Sequence, residues 1–95
     1  MAMELKVTDH PDAARYELTA DGERAGFVTY RQSPGVIAFL HAEVDPARER
    51  QGLGSELVRG ALDDARARGL AVRPVCPFVA WYIETHEAYQ DLVAK

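Results

Sequence analysis

The sequence predicts an α+β fold, an antiparallel or mixed sheet of about five strands with two or three helices packed on it. Three observations carry this expectation. Residues up to Val44 alternate or run apolar in short β-favouring segments; beyond Leu53 the apolar residues recur at three-to-four spacing; and turn residues stand singly between the patterned segments instead of forming a linker. At 95 residues, with no repeat and no low-complexity tract, the chain 1–95 reads as one domain with one core.

Taken in order, Glu4 to Thr8 alternates weakly and Arg15-Tyr16-Glu17-Leu18-Thr19 alternates well, ending at Asp21-Gly22, a strong hairpin signal. A third strand runs from about Arg24 to Arg31, where Phe27, Val28 and Tyr30 favour extended structure. Ser33-Pro34-Gly35 then turns the chain into Val36 to Val44, the longest apolar strand. Up to that point the reading contains strands and turns alone. Leu53, Leu57, Val58, Ala61, Leu62 and Ala65 mark the buried stripe of a helix that stops at Gly69. Ala71 to Val75 is a short strand, and Phe78 to Val93 reads as one or two aromatic-rich helices opening near Pro77.

Composition narrows the function classes. Hydrophobic residues make up 47% and charged residues 27% of the chain, which suits an ordered globular domain. A net charge of −4 gives no general attraction to a phosphate backbone, so no nucleic acid is expected as partner. Met1 to Lys6 has no basic region leading into an apolar stretch, and no apolar run approaches the ~20 residues that span a bilayer; the expectation is a cytoplasmic protein with no membrane partner. Cys76 stands alone, which excludes an internal disulfide and a cysteine-based zinc site, and no metal is expected.

Between the long strand and the first helix lies Asp45-Pro46-Ala47-Arg48-Glu49-Arg50-Gln51-Gly52-Leu53-Gly54-Ser55. A glycine-containing loop that opens a helix is a layout for phosphate, because the first helical amides have no intrahelical partner and the helix dipole favours an anion there. Gly52 and Gly54 leave room for the ligand, while Arg48 and Arg50 add charge. The lysine of a Walker A loop and the third glycine of the dinucleotide fingerprint are both absent. On spacing alone, a plain strand-to-helix turn explains the glycine pair equally well.

This segment, with Val44 before it and Glu56-Leu57-Val58 after it, resembles the acetyl-CoA pyrophosphate loop of the GNAT acetyltransferase superfamily. His41-Ala42-Glu43-Val44 and Cys76-Pro77-Phe78-Val79 resemble a minimal branch of about this length. The pattern departs at Glu49, where the family has Gln or Arg, and at Arg50, often Gly, which moves the charge along by one residue. The resemblance implies a GNAT-like fold and an acetyl-CoA cosubstrate held by Val44, Gln51, Gly52, Leu53, Gly54 and Ser55, to which Arg50 is added as the charge that offsets Glu49. It also implies acetyl transfer to an amine of a small molecule or protein.

Such a transfer needs a base for the amine, stabilisation of the oxyanion and a proton for the departing thiolate. Strand alternation puts Ile37, Phe39, His41 and Glu43 on one face that turns polar toward its end, which makes His41 and Glu43 candidates; His41 also reads as a partly buried, hydrogen-bonded strand histidine, and Glu43 as a solvated strand end. Cys76, at the start of a helix, is a candidate nucleophile or proton donor, and equally a small buried hydrophobe. Trp81, Tyr82 and Tyr89 read as core or cofactor-packing residues, His86 as surface, and Asp63, Asp64, Arg66 and Arg68 as a solvated helix face. Two other readings compete: a non-catalytic CoA or acyl-CoA sensor or adaptor, and a thiol-redox protein, the latter weakened by the lack of a resolving cysteine.

Overall fold

The computed structural model describes residues 4–47 and 52–95. Five strands, β1 (Leu5–His10), β2 (Arg15–Ala20), β3 (Glu23–Ser33), β4 (Val36–Val44) and β5 (Ala71–Pro74), form one sheet in the order β1-β2-β3-β4-β5. The first four pair antiparallel through short turns, and β5 joins β4 in parallel. A parallel pair needs a crossover, which α1 (Leu53–Ala67) supplies. After β5 come α2 (Pro77–Glu84) and a 3-10 segment, Glu87–Leu92. The sheet is thus mixed, within the α+β layout that the change of period predicts.

Helix α1 ends in a Schellman motif at Gly69: its amide bonds Arg66 O at 3.0 Å and the Leu70 amide bonds Ala65 O at 2.9 Å. All six residues of the anticipated stripe are buried to 1% exposure or less. They meet Tyr16, Leu18, Val28, Ile37, Phe39 and Val72 from the sheet, and Val79, Tyr82 and Ile83 of α2 complete the same cluster. The second face of the sheet is polar. There Glu17 accepts from Arg15 at 2.7 Å beside Arg24 and His10, and Arg15 also lies 5.4 Å over the Phe27 ring.

Two details differ from the sequence reading, and the expected one or two helices after Pro77 prove to be two helical pieces. Pro11–Ala13 is a 3-10 turn, where strands and turns alone were expected. The aromatic segment breaks after Glu84 because side chains take the terminal carbonyls of α2: Thr85 Oγ1 donates to Trp81 O at 3.0 Å, and His86 Nδ1 lies 2.7 Å from Tyr82 O with its ring stacked on Tyr82 at 3.9 Å. Finally, the polar face of α1 is tied down. Tyr16 donates to Asp64 at 2.5 Å, and Arg68 donates to Asp9, Tyr16, Asp64 and Gln32. Arg66 grips Asp91 through two nitrogens, and Tyr89 donates to Asp63.

Candidate functional site

The site begins with a fault in β4. Tyr30 pairs with Phe39 but Thr29 pairs with His41, so Leu40 is an extra residue with no partner on β3, a β-bulge. One inserted residue reverses the parity of everything after it. Ile37 and Phe39 point into the core, and beyond the bulge the inward positions are Ala42, opposite buried Val28, and Val44. The expectation that Ile37, Phe39, His41 and Glu43 share a face is therefore corrected. His41 and Glu43 lie on the polar face, 61% and 59% exposed, with His41 Nε2 3.2 Å from Glu43 Oε1 and the imidazole 6.4 Å from the Phe27 ring.

The bulge coincides with the end of β5. The last β4–β5 pair is Phe39 with Pro74, after which the Cys76 amide bonds Phe39 O at 2.8 Å and the chain turns into α2. Beyond that point β4 pairs with β3 on one edge and has no strand on the other. The start of α1 and the first turns of α2 flank the space so opened. It is a cleft of roughly 400 Å³, within the ~300–1,000 Å³ of small-molecule sites, with Ala42 and Val44 along β4, Gly52, Gly54 and Ser55 at the head of α1, and Phe78 and Trp81 from α2.

Gly52 stands at the N-cap of α1 with φ +70°, a conformation that disfavours a side chain, and as a glycine it supplies no capping side chain. The first amides of α1 are thus left at the cleft without an intrahelical acceptor. Leu53, between Gly52 and Gly54, is fully buried in the core and outside the cleft lining. Gly54 serves a different purpose: a Cβ there would stand 3.0 Å from Phe78 Cζ and 3.6 Å from Val44 Cγ2, so its smallness lets the phenyl ring lie against the helix. Arg50 and Gln51, like Arg48 and Glu49, lie outside the described residues.

Cys76 is 3% exposed, within the core cluster and outside the cleft lining. Trp81 is 49% exposed and stacks on Phe78, ring centroids 5.5 Å apart at 29°. Of the aromatic residues assigned to core or cofactor packing, Tyr82 is core and Trp81 stands at the cleft. The sequence reading passed over Ala42 and Phe78. Phe78 and Trp81, spaced i, i+3, were the available signal for an aromatic stripe distinct from Val79, Tyr82 and Ile83. Nothing in the sequence signals the bulge that brings in Ala42.

Among the described residues no cluster of His, Cys, Asp and Glu is placed to hold a metal, and no helix is long and apolar enough to cross a membrane. Comparison with curated proteins gives no match. The family model described as GCN5-related N-acetyl-transferase matches residues 15–92, a span that takes in β2 to α2 and every described residue of the cleft. A bulged β4 parting from β5 beside a glycine-capped helix start thus occurs in a chain that belongs to the GCN5-related N-acetyltransferase family.

Proposed function

We propose that the chain is an acetyl-CoA-dependent N-acetyltransferase, with an amine of a small molecule or protein as acceptor. One observation carries this reading: a single cleft joins the first amides of α1 to the unpaired edge of β4. The amides of Gly54 and Ser55 suit the pyrophosphate, with Gly52 keeping the approach clear and Arg50 and Gln51 belonging to the same loop. The extended arm of the cofactor lies along Ala42 and Val44 as an added strand would, its amide groups meeting backbone donors and acceptors.

The acceptor nitrogen attacks the thioester carbonyl, the C–N bond forms, and the C–S bond breaks with its electron pair leaving on sulfur. In this reading the acceptor approaches from the polar face of the sheet, where His41, oriented by Glu43, accepts the amine proton. Cys76, its backbone tied to Phe39 where β4 and β5 part, gives a proton to the departing thiolate.

A second reading, a CoA or acyl-CoA sensor or adaptor without turnover, is favoured by the cleft lining, which has no titratable side chain among the described residues. Calorimetric titration with acetyl-CoA and CoA tests the shared premise. The wild type should bind both, and a folded Gly54→Arg variant, whose side chain would occupy space at Phe78 and Val44 in the cleft lining, should bind neither. Absence of wild-type binding at millimolar ligand would end both readings. Cys76→Ser and His41→Ala then separate them: an enzyme loses turnover and keeps binding, whereas a sensor has no turnover to lose.

A further inference from the structure

Trp81 is the cleft residue that packing explains least. Its helix neighbours Val79, Tyr82 and Ile83 are at most 4% exposed, yet Trp81, the chain's one tryptophan, leaves half its surface in water. Its ring is nevertheless held in place. It stacks on Phe78, and Phe78 in turn abuts the position that Gly54 keeps free of a Cβ. The result is a braced aromatic surface, with little side-chain freedom left to lose when a ligand arrives.

This surface belongs to the same cleft as the head of α1. Its lining takes in Gly52 and Ser55 at the head of α1, Ala42 and Val44 of β4, and the half-exposed Trp81 of α2. A ligand whose phosphates rest on the α1 amides and whose thiol arm follows β4 has one part left over, the nucleoside, which must lie outward. We infer that Trp81 is the stacking platform for the adenine base of coenzyme A, an assignment that rests on the cofactor reading above. Every nucleobase presents a π face, and an indole braced from behind offers the flat apolar counterpart. The platform makes affinity depend on the nucleotide half of the cofactor, so that a phosphopantetheine fragment binds without its help.

The fluorescence of Trp81 reports on the platform directly. Adenosine 3′,5′-bisphosphate, which carries the base, should quench the wild-type emission, and phosphopantetheine, which lacks it, should leave the emission unchanged. By calorimetry, Trp81→Ala should weaken CoA binding by about tenfold or more while phosphopantetheine affinity stays at the wild-type value, with Trp81→Phe between. Because Trp81 is half exposed, the variants should fold, which circular dichroism checks. Equal CoA affinity in wild type and Trp81→Ala overturns the assignment while leaving the cofactor reading intact. So does an equal loss for CoA and phosphopantetheine. Failure of the wild type to bind CoA removes both together.

Discussion

Tyr30 shows how much one hydroxyl can hold. Its ring is buried in the core at 7% exposure, while its OH donates to Asp9 Oδ1 at 2.7 Å and so fastens β1 to β3 across the intervening β2. Burial and the hydrogen bond to Asp9 push its pKa up to about 12, because both penalise the phenolate. Tyr30→Phe keeps the packing and removes the donor to a carboxylate, and is expected to cost roughly 1–3 kcal/mol in urea denaturation. Gly54 offers the complementary test, an addition. Gly54→Ala asks the Phe78 ring to shift by a few tenths of an ångström, so acetyl-CoA affinity should fall while the urea midpoint does not, since helix propensity favours alanine and Phe78 is only partly buried.

At the scale of elements, α1 does the most work with the least ambiguity. Leu57 is fully buried between sheet and helix, so Leu57→Ala should cost about 2–5 kcal/mol through lost transfer energy and the cavity left behind. That helix was legible because apolar residues recurring at three-to-four spacing fit a helix and no strand, and the hairpin at Asp21-Gly22 was legible because its turn chemistry is local. Strand β4 was legible as a strand but misread as a surface. Alternation assumes an unbroken register, and the unpaired Leu40 depends on pairing with β3, a contact that no local pattern records. The same limit hid the ties of Arg68, whose partners Asp9, Tyr16 and Gln32 are 59, 52 and 36 residues away. Within the site, the glycine loop and Val44 could be read from sequence as a phosphate-binding layout with a family resemblance. The enclosure by Ala42, Phe78 and Trp81 came from tertiary packing.

For the molecule as a whole, the tyrosines set an alkaline limit. Tyr30 and Tyr89 are both raised to about 12, each by burial first and then by a carboxylate partner, and Tyr16 is raised as well. A phenol whose folded pKa exceeds its unfolded value of ~10 contributes stability in full below pH ~10 and loses it as pH climbs toward the folded value. The melting temperature should therefore drop steeply between about pH 10 and pH 12. In Tyr30→Phe the drop should be shallower, and thermal denaturation across that range checks the slope.

The parity change at Leu40 has a kinetic consequence. It leaves the cleft on the helix side of the sheet and the His41–Glu43 pair on the opposite side, so that under the proposed function the two substrates would arrive by separate routes. If the proposed transfer is correct, acetyl-CoA and amine can load in either order and react only when both are present. Double-reciprocal plots of initial rate should then intersect to the left of the ordinate. Parallel lines would instead mean that the acetyl group waits on the protein after CoA has gone, returning Cys76 to the role of nucleophile.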